Sequence, residues 1–449
     1  MSQAITKSVT HETGAYLAQF ARFETQSKQP SWLYPLRKAG MAQFSELGLP
    51  TLHDEDWRFT NIAPLTKLPF HPLFEASVVN GVETKALKDF VLANLSGNRL
   101  VFVNGHYSAK LSSIAGMPAG VKVTNLASAL QSDAAFVEKH LGRCTPDKGN
   151  AFAALNQAFF LDGAFIHVPK GVSVTEPIQV IYICSTKEAG ATVQSRNLIV
   201  AEANSAVTII ESYVATADTA YFTNAVTELF AGDNAKVELV KFQDEAPTAF
   251  HLAAIHGEFG RASNVKVHSF ALGSKLSRNT IRTKLAGEWL ECILNGLYLT
   301  RHEQLADHHM VVEHVQPHCA SHEYFNGILD DKSKGVFHGR IYVHPLAQKT
   351  DAKQTNKNLL LSDDATADTK PQLEIYADDV KCTHGATIGQ MNDESIFYLR
   401  SRGIGTEMAR RMLIHAFAGE IIERVSNAAA REELDKLVWE RLEANHHIA

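Results

Sequence analysis

Cysteine is scarce in this chain of 449 residues, and its few copies are scattered. No two of them form a CxxC pair, so the spacing excludes a zinc-ribbon site and gives no disulfide framework. Their odd number also favours free thiols, which are typical of a reducing compartment such as the cytoplasm. The five are Cys144, Cys184, Cys292, Cys319 and Cys382.

Long apolar runs, a basic excess and phosphate-binding glycine loops are also lacking. The first twenty residues show no basic start followed by an apolar segment, so no secretion signal is expected, and no run reaches the length of a membrane span. The net charge of −6 gives no reason to expect nucleic-acid binding. Neither GxxxxGK[ST] nor GxGxxG occurs, so this chain is not expected to bind a nucleotide through a loop of its own.

What is present divides the chain into three regions. Residues 1–150 carry helical periodicity and, near their middle, the strand–Asn-Gly–strand pattern of a short β-hairpin. Residues 151–395 are β-rich runs with little helix between them, and residues 396–449 return to helical periodicity. Within the first region, the two segments most typical of helices are 31–50 and 85–98.

The β-rich region carries a weak internal repeat. Similar segments start at residues 195, 222, 250 and 277, and Asn197, Asn224 and Asn279 occupy similar places in them. Each unit is a strand, a small polar or Gly-containing turn and another strand. A fixed period is typical of a solenoid whose coils stack on one another, whereas an antiparallel sandwich requires no constant period. We therefore predict a mostly β protein with a parallel β-helix core over 151–395.

The C-terminal region contains a predicted amphipathic helix over 406–425, with Thr406 as its N-cap. A second helix is predicted from residue 431 onward. The stripe of the first helix is more often part of a core than a binding face. The residues placed close to this stripe are Met408, Met412, Leu413, Ala416, Phe417, Ile421 and Val425.

Cys382 and His384 form the first candidate site. Residues i and i+2 of a strand point to the same face, so the two side chains project together, with Val380 beside them. A thiolate and an imidazole are suitable ligands for iron or an iron–sulfur species. Val380 equally indicates that this face is the solenoid interior, where a free cysteine is simply packed.

A histidine-rich run over 302–323 is the second candidate. His314, His318 and His322 are four apart, which on a helix would make one metal-binding face, but Pro317 disfavours a helix there. Strands and turns are predicted instead, with the histidines distributed between faces. The other members of the run are His302, His308, His309 and Cys319.

Four segments resemble the SufB/SufD family of iron–sulfur cluster assembly proteins. The most specific is 373–404, "LEIYADDVKCTHGATIGQMNDESIFYLRSRGI", and 54–62, 153–182 and 349–379 are also similar to family elements. The likeness covers nearly the whole chain. It implies a right-handed parallel β-helix flanked by helical N- and C-terminal regions, in agreement with the repeat.

Within that family the chain resembles the SufD branch. SufB sequences typically read Glu-His-Glu-Ala-Thr where this chain reads Thr-His-Gly-Ala-Thr over 383–387, and they carry a cysteine in the strand that here spans 356–365. An assembling cluster needs several thiolate or imidazole ligands. The resemblance therefore implies that SufB supplies the missing ligands, and that His384, ranked first, and Cys382 lie at the shared interface as metal or cluster ligands.

The same resemblance implies partners and a non-catalytic role. A SufC subunit, an ABC-type ATPase, is expected to dock on the C-terminal helical region, with helix residues Met408, Met412, Leu413, Phe417 and Ile421 as the docking set. A reduced flavin is implied at the level of the complex, and a homodimer is left open when SufB is absent. Two alternatives from other classes remain at this stage: a β-helix enzyme acting on polysaccharide, and a cytoplasmic His-rich metal-binding protein.

Overall fold

The computed structural model describes residues 13–26, 29–75, 82, 97–144 and 149–444. The predicted helix over 85–98 lies outside these ranges except for its last two residues. None of the described helices is long and apolar enough to cross a membrane. The described helices are α1 Gly14–Gln26, α2 Leu33–Leu47, α3 Ala63–Thr66, α4 Leu126–Ser132, α5 Ala134–His140, α6 Ala151–Phe159, α7 Asp393–Ser401, α8 Thr406–Ile422 and α9 Ala428–Ala444.

Most of the remaining described chain is β-strand. A short 3₁₀ turn, Glu55–Trp57, precedes the first strand. In chain order the strands are β1 His71–Pro72, β2 Arg99–Val103, β3 His106–Tyr107, β4 Lys122–Asn125, β5 Ala164–Val168, β6 Ile178–Cys184, β7 Ala191–Ala201, β8 Ala206–Ala215, β9 Phe222–Ala231, β10 Lys236–Asp244, β11 Phe250–Phe259, β12 Asn264–Ala271, β13 Leu276–Leu285, β14 Glu291–Thr300, β15 Leu305–His314, β16 Ala320–Leu329, β17 Lys334–Val343, β18 Asp351–Leu360, β19 Thr366–Ile375 and β20 Lys381–Gln390.

The strands from β5 to β20 wind into a parallel β-solenoid, which confirms the predicted fold. Odd-numbered strands form sheet A, in the order β19-β17-β15-β13-β11-β9-β7-β5, and even-numbered strands form sheet B, in the order β20-β18-β16-β14-β12-β10-β8-β6. Each strand from β7 to β18 is hydrogen-bonded to the strand one coil earlier and to the strand one coil later, so the two sheets face each other across an interior filled by alternate side chains. This interior core is largely aliphatic.

The predicted constant period is wrong in detail. Phe250 pairs with Leu276, 26 positions later, whereas Lys334 pairs with Thr366, 32 positions later. Asn224 pairs with Leu252, while Asn279 pairs with Ala253, so the repeated asparagines do not form one column. Strand length is nearly constant, and the corners between strands absorb the variation.

Several of the corners between sheet A and sheet B are closed by a residue with positive φ. Asn204 and Asn234 have φ of 58° and 56°, a conformation that asparagine tolerates because its side chain hydrogen-bonds locally. Trp289 and His318 take the same conformation in two later coils, and their rings stack with centroids 4.1 Å apart. His318 of the histidine-rich run is therefore a corner residue.

The N-terminal end of the solenoid is covered. Strand β2 pairs in parallel with β6 and makes an antiparallel hairpin with β3 through Asn104 and Gly105, both with positive φ, as the Asn-Gly signal predicted. Strand β4 closes sheet A by pairing antiparallel with β5. Helices α1, α2 and α6 add an aromatic-rich cluster against sheet A.

Trp57 attaches the segment 54–60 to this cluster. Its ring packs on Phe152 and lies 3.9 Å beneath the Arg278 guanidinium, which is ion-paired with buried Asp307. Thr60 Oγ1 donates to the same Asp307 at 2.5 Å. The side chain of Phe59, two residues later, remains partly exposed.

The C-terminal helices fold back onto the outer face of sheet B. Ile414, Ala418 and Ile421 of α8 join a cluster with Leu297 and Ile328 of sheet B. The helix begins at Thr406, but its N-cap is Gly405, so the predicted cap is displaced by one residue. Asn326 Nδ2 donates to the Phe417 carbonyl at 3.0 Å and fixes the helix above β16.

Candidate functional site

The C-terminal end of the solenoid is open. We call residues 366–390, which contain β19 and β20, the open coil. Within the described ranges, β19 has β17 as its neighbour within sheet A and β20 has β18 within sheet B, so both strands leave one edge without a strand partner. Nine of the ten residues of β20 are exposed, whereas β6 at the opposite end is entirely buried.

Cys382 and His384 lie on β20, within the open coil. Cys382 pairs in register with Ala352 and His384 with Gln354. Ala352 and Gln354 are both buried and alternate with exposed neighbours, so they point into the solenoid. The two candidate residues therefore continue two interior columns, at a position that no further coil of the described residues covers.

The two side chains differ in exposure. Cys382 is half-buried against the cluster that contains Ile341 and Ala352, and burial raises the pKa of its thiol. At neutral pH this favours the thiol over the thiolate that binds metal. His384 is exposed. The imidazole is thus the more accessible side chain of the two.

A buried carboxyl group lies two coils behind His384, and sequence reasoning missed it. Glu323, Gln354 and His384 occupy the same register position on β16, β18 and β20. Gln354 Nε2 donates to Glu323 Oε1 at 3.3 Å, and Glu323 Oε2 has no hydrogen-bond partner among the described residues. Burial raises the pKa of Glu323 to about 8. Only the register between coils shows this column, and no spacing in the sequence encodes it.

Exposed apolar side chains lie on or beside the same two strands as the candidate pair. Ile388 lies on β20, and Ile375 and Tyr376 lie at the end of β19, all three exposed. Exposed large apolar side chains beside unpaired strand edges are typical of a surface that another chain covers. These three residues were not predicted, because their exposure depends on β20 being the last strand.

The histidine-rich run adopts strands and turns, as predicted, and contains no three-histidine helix face. His308 and His314 point into the interior and bond to Ser269 and Ser321 at 3.0 and 2.8 Å. His302 is an exposed corner residue, 3.0 Å from Asp331. The remaining members, His309, His322 and Cys319, lie on the outer face of sheet A, on the outer face of sheet B and in the interior core, respectively.

The predicted stripe of helix α8 does not lie on one face. Met408 and Met412 are 45% and 39% exposed, whereas Ile421 is buried against sheet B. Leu413 and Phe417 lie between these extremes. Phe397 and Tyr398 of α7 add two more exposed aromatic rings to the helical region.

Comparison with known proteins gives the class to which this fold and this open coil belong. The family model for the SufBD core domain of the SUF iron–sulfur cluster assembly system matches residues 182–417, and the model for the SufBD N-terminal region matches residues 11–180. The chain therefore belongs to the SufBD family of iron–sulfur cluster assembly proteins.

Individual relatives narrow the comparison. A SufBD family protein of Synechocystis is 33% identical over 421 residues, which is 91% of each chain. The iron–sulfur cluster assembly protein SufD of Escherichia coli is 32% identical over 425 residues, covering 94% of this chain and 95% of that protein. SufD of Bacillus subtilis is 27% identical over 431 residues, covering 93% and 95%. The chain is thus SufD-like within its family.

Proposed function

We propose that this chain is a non-catalytic scaffold subunit of a SUF complex. In this proposal the open coil pairs with SufB, His384 and Cys382 face the shared interface, and the C-terminal helices dock the ATPase SufC. The iron–sulfur cluster is cargo that assembles between the two scaffold subunits and then leaves.

The open coil is the observation that carries the proposal. Interior columns end there in an exposed His384 and a half-buried Cys382, and two strand edges lack strand partners among the described residues. A solenoid end of this kind requires a cap or a partner, because exposed edges pair with other strands. A partner with a similar solenoid end would pair with those edges and cover Ile388 and Tyr376.

The metal ligands available on the open coil support a cluster site shared with SufB rather than one formed by this chain alone. A cluster needs several thiolate or imidazole ligands, and the open coil offers one accessible imidazole and one thiol whose pKa is raised. Four of the five cysteines are buried. SufB would therefore supply the remaining ligands. A reduced flavin belongs to this proposal only at the level of the complex.

The position of helix α8 supports a mechanical connection between a docked SufC subunit and the interface with SufB. Its buried side rests on β14 and β16, while Met408 and Met412 on another side are exposed. Closure of two SufC subunits on ATP would pull on this helix. Because β16 and β18 stack directly behind β20, that pull would reach the open coil and separate the two scaffold subunits near His384.

The five free thiols support a reducing compartment, and we place the protein in the cytoplasm.

The test replaces His384 in the complex. We expect His384→Ala to co-purify with SufB and SufC in normal amounts but to yield little iron and sulfide on reconstitution, because the imidazole supplies a ligand or carries a proton while one truncation leaves most of the interface intact. Cys382→Ala should reduce the yield less. The matched control is His322→Ala, a partly exposed histidine on sheet B away from the open coil.

Two results would overturn the assignment. If the His384 variant assembles a normal amount of cluster, the interface histidine has no role in assembly. If it fails to co-purify with SufB, its loss acts through the interface rather than through the cluster. Iron and sulfide analysis of the purified complexes separates these outcomes.

A further inference from the structure

Three side chains that are far apart in the sequence meet on the outer face of sheet A. His309 on β15 and His338 on β17 are register partners in adjacent coils, and their rings contact each other with centroids 4.3 Å apart. The 3₁₀ turn Glu55–Trp57 brings Asp56 over them. One potential ligand atom from each residue lies within 4.8 Å of the other two, and His309 Nε2 is 3.9 Å from Asp56 Oδ1.

The hydrogen bond of His338 prepares it to bind a metal. Its Nε2 lies 2.8 Å from Gln372 Oε1 on β19, and an amide oxygen only accepts, so Nε2 carries the proton. The lone pair is then on Nδ1. A metal-binding histidine is usually oriented in this way, with its second nitrogen donating to an oxygen of a neighbouring residue.

His309 is buried, and its Nδ1 has no hydrogen-bond partner among the described residues. A buried polar atom normally has a partner, so a ring nitrogen left without one is a candidate metal ligand.

The surrounding charges leave one carboxylate in surplus. Arg278 is paired with Asp307, Lys370 Nζ lies 2.7 Å from Glu55, and Arg340 Nε lies 3.5 Å from Glu374. Arg340 Nη2 also lies 3.5 Å from Asp56 Oδ1. These three cations therefore face four carboxylates, and the remaining negative charge would offset half of the charge of a divalent ion beside Asp56.

We propose that Asp56, His309 and His338 form a binding site for a borderline divalent transition metal such as Zn²⁺ or Fe²⁺. Two imidazoles and one carboxylate match the preferences of these ions, which bind such atoms at about 2.0–2.2 Å. The half-exposed Asp56 gives the ion access from solvent and can close onto it. The bound ion would fasten the segment 54–60 to β15 and β17, and water would complete its coordination.

The test measures metal binding by the chelator-treated full chain, with Co²⁺ as a spectroscopic probe and Zn²⁺ as a competitor. We expect the parent chain to bind one ion with d–d absorption typical of nitrogen and oxygen ligands, and its thermal midpoint to rise with metal concentration. Asp56→Asn should lower the affinity for Co²⁺ at least about tenfold and remove the thermal shift. Because Asp56 is half-exposed and asparagine has the same shape, this variant should fold.

The matched control is His322→Gln. His322 Nε2 lies 3.8 Å from Asp351, nearly the distance between His309 and Asp56, but no third ligand joins that pair in the described part of the chain. It should bind Co²⁺ like the parent. The proposal fails if Asp56→Asn binds as tightly as the parent, if the parent binds no ion, or if the control loses as much affinity as Asp56→Asn. A His309→Gln variant that folds should repeat the loss.

Discussion

Glu323 shows how strongly the solenoid interior acts on a single side chain. Its carboxyl group is fully buried, and desolvation raises its pKa to about 8, with the Gln354 hydrogen bond only partly opposing the shift. Gly339 makes room for the pair, because a Cβ there would lie 2.7 Å from Gln354 Nε2 and 3.0 Å from Glu323 Oε2. At neutral pH the folded chain therefore holds this carboxyl in its protonated form.

Replacing Glu323 by a residue that cannot ionise should change the pH dependence of stability. The folded-state pKa of about 8 lies above the unfolded value of about 4.3, so the folded chain binds one more proton between these values and stability falls as pH rises through the window. Glu323→Gln cannot ionise. We expect its free energy of unfolding, relative to the parent, to rise by about 1.4 kcal/mol for each pH unit within this window.

Denaturant unfolding at intervals from pH 5 to pH 8 measures this difference. A difference that stays constant over the whole range would show that Glu323 titrates as an exposed carboxyl and that its burial does not control its charge.

At the scale of the element, α8 has a side for sheet B and a side for solvent. Ile414, Ala418 and Ile421 are buried against the sheet, while Met408 and Met412 are exposed. Under the proposal for SufC, the exposed methionines are the better targets than the half-buried Phe417. Phe417→Asp places a charge against sheet B, and we expect it to lower stability by about 2–4 kcal/mol whether or not SufC binds there.

The double variant Met408→Asp, Met412→Asp tests SufC docking. Both side chains are partly exposed, so stability should change by less than about 1 kcal/mol, while a partner that buries them must desolvate two carboxylates. We expect capture of SufC to fall at least tenfold. Leu346→Asp is the matched control, because Leu346 is 76% exposed at the corner between β17 and β18, whereas α8 rests on β14 and β16. Normal capture by the folded double variant would remove these residues from the docking surface.

The local periodicity of the sequence predicted most of the strands and helices, but it could not predict which residues of neighbouring coils pair with one another. The strand–turn–strand pattern predicted the solenoid, and the i, i+2 rule placed Cys382 and His384 in adjacent interior columns. The prediction of a single apolar stripe on α8 was wrong because the helix carries apolar residues on two sides, one buried against sheet B and one exposed. Asp56, His309 and His338 meet only because coils of unequal length bring particular residues into register, and corner geometry sets those lengths.

At the scale of the whole molecule, the two solenoid ends differ. The hairpin β2–β3, strand β4 and the N-terminal helices cover one end, whereas β19 and β20 at the other have strand partners on one side only within the described ranges. Each inner coil is stabilised by two neighbours and the open coil by one. The open coil should therefore open locally at lower free energy than the coils behind it.

Amide hydrogen exchange checks this asymmetry. In the isolated chain we expect residues 366–390 to exchange faster than β11 to β16, and addition of SufB to slow exchange there more than anywhere else in the solenoid. Concentration-dependent protection of the same residues without SufB would identify a homodimer that uses this end. Equal exchange in β20 and β12, with no response to SufB, would contradict a free solenoid end.

The order of the coils along the chain also has a consequence for synthesis. A solenoid grows by adding coils to those already formed, so we expect the covered end to form before the ribosome has made the later strands. The open coil and the helices α7 to α9 emerge after it, and α8 then folds back onto β14 and β16, which already exist. Under the proposal above, a chain interrupted before residue 381 would stack its earlier coils but lack His384 and the exposed methionines, so we expect it to compete poorly with the intact chain for SufB and SufC.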